Sequence, residues 1–163
     1  MSKLTGESRI IAWNKCYGMK GIILRLSNVF GNGDPNDRFI PRMFKNIPKG
    51  KDVEIYGKDK TMDFTYMDDC ISGILSVVKN YNKLAKEPMP IFNLAYGKAY
   101  KLLDVAQYIK DKFKSKSKIK IKKNHIGEVV YYKADISKFQ KLTGWKPEVN
   151  VYKGIDKMLG TLS

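Results

Sequence analysis

The sequence predicts an α/β fold. Segments with apolar residues at helical spacing alternate along the whole chain with short runs rich in Val, Ile, Tyr and Phe. One run, GIILRLS at 21–27, is apolar nearly throughout and bounded by turn residues, the pattern of a strand buried on both faces. With 163 residues and 43% hydrophobic content, the chain has the size of one domain, or of a large piece of a bigger one, and enough apolar material for a core.

The elements follow in order. Residues 2–17 read as a helix with Leu4, Ile10, Ile11, Trp13 and Tyr17 as its apolar side, and Gly18 suits its left-handed end. The strand at 21–27 leads into NVFGNGDPND (28–37), a loop by its Gly, Asn and Pro content. FIPRMFKNI (39–47) is helical, with Pro41 in its first turn, and Pro48 and Gly50 close it. VEIYG (53–57) and MDFTYM (62–67) are strands around a GKDK turn. A helix over 68–81 opens with Asp68 and Asp69, which read as caps at its N-terminus. After a linker bounded by Pro88, PIFNLA (90–95) is a strand and 101–113 a helix with Leu102, Val105, Ala106 and Ile109 on one stripe. KIKIK (118–122) is a strand, Asp135 caps a helix over ISKFQKLTG, and 151–160 is a last short helix.

The net charge is +15, and lysines crowd KDKFKSKSKIKIKK (110–123). A nucleic-acid surface usually mixes arginine and aromatic residues into such a stretch. Here Ile and Lys alternate, which reads instead as a half-buried edge strand whose lysines discourage unwanted pairing. Nucleic acid is therefore the lesser reading, and an anionic small ligand the better one. No apolar run approaches the roughly 18 residues of a membrane helix, and charges from Lys3 onward argue against a signal peptide. Cys16 and Cys70 read as reduced thiols of a cytoplasmic protein. A single histidine and no cysteine cluster give no metal site.

Four segments, SKLTGE, LRLSNVFG, DFTYMDD and ADISKFQKLTGWKP, stand in that order along nearly the whole chain. Together they resemble the C-terminal half of the NAD-dependent epimerase/dehydratase family, the extended short-chain dehydrogenases that act on nucleotide sugars. The resemblance implies a remnant of an NAD-binding Rossmann domain at 1–31 and a nucleotide-sugar-binding domain at 32–163. Family catalysis pairs a tyrosine with a lysine four residues on, both on one helical face. The lysine favours the tyrosinate, which takes a proton from a sugar hydroxyl as hydride passes to NAD. Lys3 matches the lysine, and the tyrosine would fall before Met1. The glycine fingerprint that cradles NAD has no match either, since GNG at 31–33 has other surroundings. The expectation is a fragment of a larger enzyme, inactive alone, or one half of a split enzyme. A free-standing nucleotide- or anion-binding module is the alternative.

By the same resemblance, Leu26 and Ser27 border the nicotinamide, Asn28 reaches the substrate, and Phe39, Ile40 and Tyr56 wall the nucleotide base. Two positions depart from the family. Met62 and His125 stand where arginines commonly hold the diphosphate. Hydrogen bonds to charged groups contribute about 1.5–3 kcal/mol each, so two lost contacts weaken binding by roughly 3–6 kcal/mol. His125 itself, or Lys122, Lys123, Arg38 or Arg42, would have to compensate. The helix at 2–17 is expected to pack against a neighbouring chain as a homodimer or swapped oligomer, because its apolar residues would otherwise face water.

Overall fold

The computed structural model describes residues 2–87 and 90–161. Met1, on which the reading of the N-terminus turned, and Pro88, which bounded the linker, lie outside the described residues. Helix α1 (Ser2–Tyr17) precedes β1 (Ile23–Leu26) and β2 (Asn28–Phe30). Next come α2 (Phe39–Asn46), a 3-10 turn (Ile47–Lys49), β3 (Val53–Tyr56) and β4 (Thr61–Tyr66). Helices α3 (Met67–Lys79) and α4 (Tyr81–Leu84), strands β5 (Ile91–Leu94) and β6 (Ala99–Lys101), and α5 (Leu102–Lys112) follow. Strand β7 (Ile119–Lys122), α6 (Ser137–Thr143) and α7 (Val151–Gly160) complete the order.

Three small sheets organise the chain. β1 pairs with β5 in parallel, Ile23 opposite Ile91 and Leu26 opposite Leu94. β4 is the middle strand of the second sheet, parallel to β2 and antiparallel to β6. β3 pairs with β7 in parallel. Two apolar cores result. The larger joins Phe30, Ile40, Phe64, Val105, Ile109 and Ile155, so β2 and β4 are packed between α2, α5 and α7. The smaller gathers Cys70, Leu84, Phe92, Leu94, Phe139 and Trp145 beneath α3 and α6.

Several local expectations change. The Asn- and Gly-rich stretch after β1 contains a strand, because Asn28–Phe30 find hydrogen-bonding partners in Phe64–Tyr66. Strand β1 is not buried on both faces. Only Ile23 is buried, while Arg25 and Leu26 are exposed, since among the described residues β5 is its one strand neighbour. On α1 the half-buried residues Gly6, Glu7, Ile10, Ile11 and Asn14 form a stripe at helical spacing. Leu4, Trp13 and Tyr17 fall outside it and are exposed, so the apolar residues do not make one side. A forked ion pair fixes the docking of α1: Arg25 Nε donates to Glu7 Oε1 at 3.0 Å, and its guanidinium to Oε2 at 2.7 Å.

Asp68 and Asp69 do not cap α3. Tyr66 occupies the cap position without a side-chain bond. Buried Asp69 instead accepts the backbone N–H groups of Glu148 and Val149 at 3.0 and 2.9 Å, tethering the segment before α7, and Asp68 pairs with Lys157. On β7, Lys120 and Lys122 pair with Asp52 and Glu54, while Ile121 is exposed, so its apolar face is only partly covered. No helix among the described residues is long and apolar enough to cross a membrane. Both cysteines are free thiols, Cys16 exposed and Cys70 buried.

Candidate functional site

A cavity of about 320 Å³ opens between α2, β3, the start of β4 and the turn at 125–128. Its lining includes Asn28, Phe39, Tyr56, Met62 and His125, five positions singled out in the sequence across almost a hundred residues. Arg42 lines it as well, one helical turn from Phe39. Lys122 and Arg38 are engaged elsewhere, with Glu54 and Asp34.

Each side chain has a local reason for its place. β4 exposes alternate residues to each side, so Met62 and Phe64 share the cavity face while Asp63 and Thr65 point the other way. Phe39 stacks on Phe64, with centroids 5.9 Å apart. Tyr56 and His125 stack at 4.3 Å and 28°, so the exposed histidine lies against the tyrosine ring. Gly57 makes that approach possible. Its φ is +91°, and a Cβ there would sit 1.9 Å from Asn124 Oδ1, so only glycine lets the loop lie against the end of β3.

Ile40 is a correction. It is 1% exposed, belongs to the larger core and does not line the cavity. Successive helical residues point about 100° apart, so Phe39 and Ile40 cannot face one pocket together.

Asn28 and Ser27 are anchored from beneath. The Asn28 amide donates to the Asp63 carbonyl at 3.0 Å and the Ser27 hydroxyl to the same oxygen at 2.6 Å. The Asp63 side chain is fully buried. Its Oδ2 accepts the N–H groups of Gly97 and Ala134 at 3.0 and 3.2 Å, while Oδ1 has no partner. Burial pushes its carboxyl up from the ordinary value, against the pull of the backbone N–H groups of Ala134, Gly97 and Tyr96.

The residues assigned to NAD make no comparable site. Lys3 and Leu26 are exposed, and the Ser27 hydroxyl is already bonded. Gly31–Gly33 follow β2 in a cleft beside the Asp34–Arg38 ion pair and Met67, the first residue of α3, without the glycine turn running from a strand directly into a helix that cradles a pyrophosphate. The described residues therefore do not fit a complete dinucleotide, and no chemical step is assigned through one.

Two charged cavity residues, Lys60 and Glu128, were not singled out from the sequence. Lys60 donates to Glu128 Oε2 at 2.9 Å, and this hydrogen bond holds the Glu128 carboxyl below its usual range. The pair spans 68 positions and leaves no local signature. The alternation Lys60, Met62, Phe64 could have revealed the lysine, once β4 was placed.

Known proteins share this architecture. An uncharacterized protein of Methanocaldococcus jannaschii is 32% identical over 157 residues, 96% of this chain and 47% of that protein. The dTDP-glucose 4,6-dehydratase 1 of Escherichia coli is 28% identical over 165 residues, covering 96% of this chain and 44% of its own. The crystal structure of UDP-glucuronic acid 4-epimerase from Bacillus cereus, in complex with UDP-glucuronic acid and NAD, superimposes with a TM-score of 0.84 at 26% identity, over 99% of this chain and 52% of that one. The chain spans about half the length of the curated relatives it matches. Residues 1–95 match the profile of the NAD dependent epimerase/dehydratase family, and with an α/β fold common to these enzymes the chain belongs to that family.

Proposed function

We propose that this chain is the nucleotide-sugar-binding half of an NAD-dependent nucleotide-sugar epimerase or dehydratase, inactive alone. The observation that carries the reading is the convergence of Asn28, Phe39, Tyr56 and His125 on one cavity beside Arg42. In this reading the aromatic rings flank the base, Arg42 and His125 face the diphosphate, and Asn28 keeps hydrogen-bonding capacity for the sugar end. Lys3, Leu26 and Ser27 form the border of a nicotinamide site. Its remaining walls belong to a Rossmann half, on the same polypeptide or on a separate chain. This reading divides the chain at 1–31 and 32–163 between those two roles, with Asn28 at the border reaching into the sugar site, and the two free thiols support a cytoplasmic setting.

Calorimetric titration with UDP, dTDP, GDP and CDP sugars tests this. One nucleotide class is expected to bind with a dissociation constant in the micromolar to millimolar range, roughly −4 to −8 kcal/mol, and no absorbance change from NADH is expected with the chain alone. Binding by none of the four refutes the assignment, and unaided turnover refutes the half-enzyme reading.

The exposed Leu4, Trp13 and Tyr17 support a second copy as the cover of α1. Trp13 packs edge-to-face on Tyr17 at 6.4 Å, so the two rings form one apolar patch. Sedimentation is expected to show a dimer for the wild-type chain and a monomer for Trp13→Glu. A wild-type monomer at high concentration would rule this interface out.

A further inference from the structure

Lys60 and Met62, two residues apart, both line the cavity, and the cationic member of the pair is not open to solvent. The Lys60 side chain is 13% exposed and sits against Glu128, which is 36% exposed. Backbone pairing places the carboxylate there. Val130 accepts the Thr61 N–H at 2.8 Å, Tyr132 donates to the Thr61 carbonyl at 3.0 Å, and Glu128 N–H bonds to His125 O at 3.2 Å. Glu128 is thus held over the lysine by the first residue of β4, next to the lysine, and by the turn that carries the stacked histidine.

A carboxylate and a phosphate oxygen compete for the same ammonium geometry. We infer that Lys60 is a diphosphate-binding residue one strand step from Met62, and that Glu128 is a built-in competitor which the ligand must displace. This rests on the nucleotide-binding reading above. The consequence is selectivity by charge. Opening the Lys60–Glu128 pair is repaid only by an anion able to replace the carboxylate, so uncharged nucleosides gain nothing from it. Removing the carboxylate also removes its repulsion toward the diphosphate.

Titration of uridine, UDP and inorganic pyrophosphate into the wild-type chain, Glu128→Gln and Lys60→Gln tests this, with circular dichroism to confirm folding. If another nucleotide class binds the wild-type chain, its nucleoside and diphosphate replace uridine and UDP. Glu128→Gln is expected to bind UDP about three- to tenfold more tightly, and Lys60→Gln about tenfold or more weakly, the size of one charge-assisted contact. Uridine should change by less than about twofold in both. In the double variant the gain from Glu128→Gln should shrink to the part that comes from lost repulsion alone, because there is no lysine left to release. UDP binding that is indifferent to both substitutions overturns this inference and leaves the functional reading intact. If no nucleoside diphosphate binds the wild-type chain, the functional reading falls. Pyrophosphate binding that tightens in Glu128→Gln then still supports the competition, and its absence overturns that as well.

Discussion

Replacing Asp63 with alanine is expected to cost about 1–4 kcal/mol of folding stability, about 1–3 kcal/mol from a buried backbone N–H left unpartnered and less from a half-buried one. Those groups are the amides of Gly97 and Ala134, from two segments that both bond to this carboxylate on the middle strand of the second sheet. A loss of that size is a large share of the roughly 5–15 kcal/mol that holds a domain. Asp63→Asn keeps an acceptor for both amides and should lose far less. The two variants also separate hydrogen bonding from charge. Because burial raises the Asp63 carboxyl in the folded state, the folded chain binds the proton more tightly than the unfolded one. That contribution is fully present below the unfolded value near about 3.9 and is lost as pH rises through the folded value, so stability falls across that window. Urea denaturation across the acidic range should show the decline in the wild-type chain and its removal in Asp63→Asn. A decline of equal size in both would assign it to other groups.

Tyr56→Ala is expected to weaken nucleotide binding by about 1–3 kcal/mol, the scale of one aromatic stacking contact, or roughly five- to 150-fold. The ring has two duties. It lines the cavity, and it is the surface on which His125 is stacked, so its removal also frees the histidine. Ile40→Val is the matched control. It trims a core side chain, lowers stability by about 0.5–1.5 kcal/mol, and should leave affinity unchanged because Ile40 does not reach the cavity. Equal losses of affinity in the two variants would mean that the cavity wall is not where the base sits.

The sequence disclosed most elements and hid the shortest ones. Helix α1 and the helices over 102–112 and 151–160 were legible because helix-forming residues run unbroken through them, a local signal, although the apolar side read for α1 did not hold. Strands β2 and β6 have three residues each, and their strand character comes from pairing with β4, which no window of sequence contains. Asp69 read as a cap because acidic residues open helices. Its real partners lie 79 and 80 positions away. The site divides the same way. Asn28, Phe39, Tyr56, Met62 and His125 came from motif resemblance and do line one cavity. Ile40 came from the same motif and fails on helical geometry. Lys60 with Glu128, and Asp63 with its two amides, needed the fold.

The lone pairing of β1 with β5 bears on how the protein behaves in a tube. A parallel strand with one flank unmatched offers a row of amide and carbonyl groups to any extended peptide. Arg25 lies in the middle of that strand, and its guanidinium is clasped by the helix that covers one face of it. Losing that clasp would loosen the helix and widen access to the unmatched flank, and the first sign would be turbidity on concentration.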